Sequence, residues 1–390
     1  MKWILGLAAL LLTTSFAALA SADDEPIPVT PDNFPRAESD LRLSVAVRGA
    51  GLGKFFHQRA PAALDKQTVP RAERDVLIST AVFDLDAGPV TIILPDPGKR
   101  YLSLQIVDED GFTDEFDYGE GTHVLSKDKF GTRYVLAALR IAANPDDQQD
   151  LAAANALQDA VKVEQPRGAG VFQVPNWDAQ SQIDVRTGLR VLAATLLDAK
   201  GLSGVRSKVD PVRRLIGSAV AWGVPPETEV FALDRTPKDN TGSAVYRVTL
   251  KDVPTDGFWS VSVYNDRGFF SPNSRKAYTL TSATAKPGPD GAYVLQFGGC
   301  DATVVNCLPT PPDWDLAVRL YRPKPEAVNG GWTFPPLALV PQPPPPPLPP
   351  AQNVKAAPPI KGASDAEAAK TSPPTVEPPA KLRKRKVNRP

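Results

Sequence analysis

The sequence predicts a mainly β fold: two β-sandwich domains with a short helical insert between them. Apolar, β-branched runs separated by turn residues recur about every 10–15 residues from Val76 onward, and a second series starts near Val230. Helices do not alternate with these runs, which argues against a parallel α/β sheet. Helical patterns fall between the two series, so we expect them to form the insert.

The chain begins with the layout of a secretory signal peptide. Lys2 precedes an apolar run from Ile4 to Ala18, and small residues up to Ala22 offer a cleavage site. The run is shorter than the roughly 20 apolar residues of a membrane-spanning helix. We therefore expect cleavage after residue 22 and a periplasmic or secreted protein without a transmembrane span.

Charge is unevenly distributed along the chain. Acidic and basic residues number 44 each, but six basic residues lie between Lys381 and Arg389. The rest of the chain is therefore net acidic, which argues against a nucleic-acid binder. Residues 341–390 are rich in proline and poor in apolar residues, which predicts a disordered, extended basic tail. The basic end of this tail can be attracted to an anionic envelope surface, and the alternative is a solubilising tail without a specific partner.

The elements of the first β region and the insert follow in order. Residues 36–51 are expected to form a helix that ends in glycines. The strand candidates are Val76–Phe83, Pro89–Pro95, Tyr101–Val107 and Gly131–Ile141. Asp150 is expected to cap one helix of the insert, and Asp210 with Pro211 another. A leucine face at helical spacing predicts a third helix, through Leu189, Leu192, Leu196 and Leu197.

The second β region ends before the tail. Its strand candidates are Ala244–Leu250, Phe258–Tyr264, Ala277–Thr281, Tyr293–Phe297 and Leu316–Tyr321. The two cysteines, Cys300 and Cys307, are close in sequence and are expected to form a disulfide in an oxidising compartment. A metal pair is the alternative, but the histidines that could complete it are only His57 and His123.

Several runs resemble a bacterial family of exported proteins that pairs domain of unknown function 1254 with domain of unknown function 1214. In the first domain the runs are Ala81–Val90, Gly131–Val135 and Ala156–Ala160. In the second they are Val253–Asn265, Phe297–Cys300, Asn306–Pro309, Arg319–Pro323 and Gly331–Pro335. The resemblance covers roughly residues 34–336.

The resemblance implies two β-sandwich domains, the second jelly-roll-like, and no established activity. We place the first domain at residues 23–165, the insert at 166–228 and the second domain at 229–340. The family's usual Asn-Arg-Asp-Thr-Leu-Tyr run is altered here to Glu73-Arg-Asp-Val-Leu-Ile78. A ligand site built from those polar groups would be partly lost.

Four residues near the first strand are candidates for ligand binding: His57, Arg59, Arg74 and Asp75. An arginine, a carboxylate and a histidine together can bind a carboxylate or exchange protons. The structural alternative is an ion pair of Arg74 with Asp75 and a histidine packed at a domain edge. His123, in a strand-like run, is expected to be structural.

The densest acidic stretch suggests a weak metal site. Asp108, Asp110 and Asp114 have part of the spacing of a calcium loop, without the complete pattern. A solvated loop is the alternative, and no other cofactor is expected. Jelly rolls can also stack sugars on exposed tryptophans, although core packing is the commoner role of Trp222, Trp259, Trp314 and Trp332.

Two function classes follow from these observations. The first is a binding or structural envelope module that recognises a glycan or a small anionic ligand. The second is a hydrolase or lyase acting on a polysaccharide or another envelope substrate. No G-x-S-x-G nucleophile motif and no phosphate-binding loop is present in the sequence. A polar cleft at the domain junction would favour the enzyme, and a filled junction would favour the binding or structural role.

Overall fold

The computed structural model describes residues 25–341. The predicted signal peptide and the predicted tail beyond Pro341 lie outside the described residues. Among the helices that are described, none is long and apolar enough to cross a membrane. The predicted fold class is confirmed, since the described chain is mainly β, with four sheets arranged as two sandwiches.

The first sandwich packs a five-stranded sheet against a three-stranded sheet. Its strands are β1 (Phe56–His57), β2 (Val76–Asp84), β3 (Val90–Leu94), β4 (Leu102–Asp108), β5 (Thr113–Tyr118), β6 (Gly121–Leu125), β7 (Tyr134–Ala142) and β8 (Lys162–Glu164). The sheet orders are β1-β2-β7-β4-β5 and β6-β3-β8, and the neighbours are antiparallel. Leu77, Ile92, Leu104 and Leu139 lie in the core between the sheets.

Helices cover one end of the five-stranded sheet's outer face. They are α1 (Phe34–Ala50), α4 (Ala179–Ala193) and α5 (Pro211–Val220); the short α2 (Lys127–Phe130) and α3 (Gln148–Ala160) belong to the first sandwich. Leu43 of α1 packs on Val82 and Leu136 of the sheet. Phe34 contacts the helices of the insert, so the insert and α1 form one layer.

Two details of the helix predictions are wrong. Helix α4 ends at Ala193, and Leu197 lies beyond it with its side chain fully exposed, so the predicted leucine face is shorter than expected. The N-cap of α3 is Asp147, whose carboxylate accepts hydrogen bonds from the first turn. Asp150 instead pairs with Arg100, at 2.6 Å from Oδ1 to Nη2.

The second sandwich packs two four-stranded sheets, a layout typical of jelly rolls. Its strands are β9 (Val230–Arg235), β10 (Tyr246–Leu250), β11 (Thr255–Tyr264), β12 (Thr279–Thr281), β13 (Tyr293–Phe297), β14 (Cys307–Leu308), β15 (Asp315–Pro323) and β16 (Ala338–Leu339), with α6 (Pro325–Val328) between the last two. The orders are β12-β11-β15-β9 and β14-β13-β10-β16. Val248, Trp259, Trp314 and Leu320 lie in its core.

The two sandwiches meet face to face. Phe258, Tyr321 and Val230, on the outer face of the sheet β12-β11-β15-β9, pack against Val76 and Ile78 of the first domain. The outer face of the other sheet, β14-β13-β10-β16, carries exposed side chains such as Val294. The chain therefore has a buried junction on one side of the second sandwich and an open face on the other.

Candidate functional site

Strand alternation in β11 builds the second domain's side of the junction. Trp259, Val261 and Val263 point into the second sandwich, so the residues between them point outward. Those residues are polar yet buried, Ser260, Ser262 and Tyr264 being 0% exposed. A polar outer face becomes buried only when another surface covers it, and here that surface is the first domain.

Aromatic rings fill the centre of the junction. Phe258 and Tyr321 stack with ring centroids 4.2 Å apart. Tyr101 from the first domain meets both rings edge-on, at 5.5 and 5.3 Å. Edge-to-face and stacked rings in these ranges are favourable packing contacts, so the space between the sandwiches is occupied by side chains.

Charged groups beside these rings are paired across the junction. Arg319 of β15 lies 3.9 Å from Glu73, which also pairs with Arg140 of β7 at 3.4 Å. The Arg319 guanidinium donates at 2.7 Å to the carbonyl of Arg71. Each buried guanidinium thus has carboxylate or carbonyl partners, as burial of charge requires.

Asp75 is the most enclosed carboxyl of this cluster. The Tyr321 hydroxyl donates to its Oδ2 at 3.0 Å, and its buried Oδ1 has no hydrogen-bond partner among the described residues. Burial raises the pKa of Asp75, and Arg319 opposes that rise. Burial also opposes the charge of Arg319, but the surrounding phenols and carboxylates outweigh it and raise the pKa of that guanidinium.

The four residues predicted to bind a ligand are not brought together. The His57 imidazole lies 2.9 Å from the Ser79 hydroxyl, and burial lowers the pKa of His57. Arg59 pairs with Asp159 at 2.5 Å. The Arg74 guanidinium lies over two rings of the second domain, at 5.2 Å from that of Tyr278 and 5.6 Å from that of Phe270. The Arg74–Asp75 ion pair is likewise not among the contacts of the described residues.

An arginine lies among the three carboxylates of the predicted calcium site. The Arg206 guanidinium contacts Asp108 and lies 3.2 Å from Asp110 and 3.9 Å from Asp114. Burial raises the pKa of Asp108 to about 6. A calcium ion would have to displace this guanidinium, and calcium binding here stays a prediction.

The open face of the second sandwich holds a groove of about 520 Å³. Its polar and charged lining consists of Arg247, Lys286, Gln296, Thr303 and Asn306, and its remaining walls include Pro287, Gly288, Val294, Val304 and Val305. Within the part of the chain that the structure describes, the lining contains two cations and no carboxylate. Its electrostatic potential therefore favours an anion.

The cations of the groove are held in place but not neutralised. Arg247 donates from Nε to Gln296 Oε1 at 2.8 Å, which leaves both terminal nitrogens without a hydrogen bond among the described residues. The Lys286 ammonium is exposed, and within the described chain it has no ion pair. The Lys286 backbone is fixed by Asn306, whose amide bonds its N–H and its carbonyl at 2.8 Å each.

A disulfide anchors one wall of the groove. Cys300 and Cys307 are bonded, which confirms the prediction, and the loop that they close carries Thr303, Val304 and Asn306. Sequence reasoning missed the groove because its cations are far apart in sequence. The available signal was Arg247, an outward-facing cation in the alternating run of β10.

Comparisons with known proteins agree with this domain organisation. Residues 52–129 match the family described as "Protein of unknown function (DUF1254)", and residues 230–325 match "Protein of unknown function (DUF1214)". No curated protein matches the chain. The VPA0106 protein from Vibrio parahaemolyticus is 16% identical with a TM-score of 0.64, covering 80% of this chain and 98% of its own. That likeness supports the fold alone.

A second solved structure is an uncharacterised protein from Burkholderia cenocepacia. It is 12% identical with a TM-score of 0.46, and the match covers 79% of this chain and 88% of that one.

Proposed function

We propose that this chain, which pairs a DUF1254 domain with a DUF1214 domain as its sequence predicted, is a binding module for a small anionic ligand. The observation that carries the proposal is the groove on the second sandwich, where Arg247 and Lys286 have no acidic partner among the described residues. Such cations are available to a ligand without breaking any bond within the protein.

The groove suits a carboxylate with a short apolar body. A guanidinium can donate two parallel hydrogen bonds to one carboxylate, and a charge-assisted bond contributes about 1.5–3 kcal/mol. Val294 and Val305, 46% and 55% exposed, offer apolar surface beside the cations. The open shape leaves the charges partly hydrated, so we expect micromolar to millimolar affinity.

The contacts give less support to the hydrolase or lyase alternative. General acid–base catalysis needs a carboxyl, imidazole or similar group next to the substrate, and hydrolysis of glycosides generally uses two carboxyl groups. The described residues that line the groove include neither a carboxyl group nor an imidazole. The junction has carboxyls, but Glu73 and Asp75 lie beneath packed rings and paired arginines.

A glycan is a weaker candidate than a small anion. Trp259 and Trp314 are in the core of the second sandwich. Trp222 is part of the helical layer and donates to Ser39, and Trp332 packs on the second core. Among residues 25–341, no aromatic side chain lines the groove to stack against a sugar ring. An acidic sugar would bind through its carboxylate.

We propose the periplasm or the exterior as the compartment. The disulfide is consistent with an oxidising environment. The signal-peptide pattern at residues 1–22 supports export of the protein, and this segment lies outside the described residues.

Calorimetric titration with matched ligands tests the proposal. Glucuronate and glucose share a ring and differ in the carboxylate, and succinate supplies carboxylates without a sugar ring. We expect glucuronate and succinate to bind and glucose not to bind. Arg247→Gln should weaken binding about tenfold or more, since one charge-assisted bond is worth more than 1.4 kcal/mol.

Arg235→Gln is the matched control, because Arg235 is an exposed arginine on β9, in the other sheet. It should leave the affinity unchanged. Equal binding of glucose and glucuronate, or equal losses in both arginine variants, would contradict an anion site in the groove.

A further inference from the structure

The corner between β5 and β6 carries a second cluster of functional groups. Glu115 and Asp117 are two residues apart on β5, so both side chains lie on one face of that strand. His123 is on β6. Strand β5 is an edge of the five-stranded sheet and β6 an edge of the three-stranded sheet, so the cluster bridges the open side of the first sandwich.

The distances within the cluster match those between ligands of one metal ion. The His123 Nδ1 lies 3.1 Å from Glu115 Oε1 and 3.3 Å from Asp117 Oδ2. Bonds of about 2.0–2.2 Å at tetrahedral angles place neighbouring ligand atoms about 3.4 Å apart. Among the described residues, this is the group whose histidine and carboxylate atoms converge within 4.8 Å.

Burial gives the cluster a closed side and an open side. The side chains of Glu115 and His123 are 9% and 11% exposed, whereas that of Asp117 is 51% exposed. The imidazole presents Nδ1 to the carboxylates. Its other nitrogen, Nε2, is buried against Gly121, so close that a Cβ built on this glycine would lie 3.0 Å from it. An ion here would take three protein ligands and a water from the exposed side.

We propose that Glu115, Asp117 and His123 form a zinc site. One neutral imidazole and two carboxylates suit a borderline ion such as Zn²⁺, whereas Ca²⁺ takes six to eight oxygen ligands. The bound ion would fasten the edges of the two sheets at the corner where the chain passes between them. The site is separate from the anion groove, and it does not depend on the proposed function.

Lys129 is the competitor within the chain. Its ammonium contacts Glu115 Oε2 and neutralises part of the charge that a cation would meet. Removing this ammonium should therefore strengthen metal binding, whereas it would weaken a purely structural ion-pair cluster. This opposite sign separates a metal site from a chance meeting of charges.

Zinc titration of the full chain, prepared without an affinity tag at pH 7.5, tests the proposal. We expect one zinc ion per chain and a higher melting temperature in zinc than in chelator. His123→Gln should weaken zinc binding by at least about tenfold. Lys129→Met should tighten it several-fold.

His57→Gln is the matched control, since the chain has only two histidines. It should keep the wild-type affinity, and melting in chelator shows whether each variant is folded. The proposal is overturned if the wild type takes up no zinc, if folded His123→Gln binds zinc as the wild type does, or if Lys129→Met binds it less tightly.

Discussion

Each outer face of the second sandwich carries an arginine, which is buried on one face and exposed on the other. Arg319 of β15 is covered by the first domain and contacts Glu73, Tyr264 and a backbone carbonyl. Arg247 of β10 is exposed, and within the described chain its one side-chain partner is Gln296. The covering surface decides whether an outward-facing arginine holds domains together or remains available for a ligand.

The largest expected difference between the faces is in stability. Arg319→Met leaves Glu73, whose side chain is 14% exposed, without one of its cations, and it removes the charge that faces buried Asp75. Breaking a buried ion pair from one side costs about 3–5 kcal/mol. Arg247→Met removes an exposed group and should change the free energy of unfolding by less than about 0.5 kcal/mol. Urea denaturation of both variants checks this contrast, and equal losses would mean that the junction is not the stabilising face.

Removing the disulfide on the open face should lower stability by an intermediate amount. The disulfide closes a loop with a sequence separation of 7. By restricting the unfolded chain, it should raise the free energy of unfolding by about 2–3 kcal/mol. Replacing Cys300 and Cys307 by serine should lower stability by that amount and weaken ligand binding, because the loop forms a groove wall. Calorimetry and thermal melting measure both effects. Unchanged ligand affinity would show that the disulfide loop does not contribute to the binding site.

The smallest of the three contrasts is expected at Asp75, where the sign of the stability change depends on pH. A carboxyl whose pKa is raised by burial contributes stability that is fully present below its ordinary pKa near 4 and is lost as pH rises. Asp75→Asn cannot ionise and keeps an acceptor for Tyr321. It should cost about 1 kcal/mol or less at pH 5 and become neutral or stabilising at pH 8.

Urea denaturation of the wild type and Asp75→Asn at both pH values provides the measurement. A difference in unfolding free energy that is independent of pH would show that Asp75 titrates at its ordinary pKa, and that the junction does not disfavour its charge.

Local patterns were sufficient for most of the fold. The run at Val76 became β2, and α1 ends before Gly51 as its glycines predicted. The strand-like run at His123 became β6, but β5 was missed because it is rich in acidic residues, which have low strand propensity. Its pairing with β4 outweighs that preference.

The site was harder to predict because its parts are distant in sequence. Arg247, Lys286 and the disulfide loop meet only after β10 and β13 pair. Conversely, Arg74 and Asp75 are adjacent in sequence yet contact different partners, Tyr278 and Tyr321. Both residues lie in the bend just before β2, where their side chains turn to different partners, so proximity in sequence did not imply a shared site.

The contacts of the helical layer should delay the docking of α1 during synthesis of the chain. Glu38 of α1 is fully buried, and it pairs with Arg186, which is 148 residues later in the sequence. At a synthesis rate of about 5–20 residues per second, that arginine emerges roughly 7–30 s after Glu38. During this interval docking of α1 would bury a carboxylate without that guanidinium. Helix α1 should therefore be among the last of the described elements to take its final place.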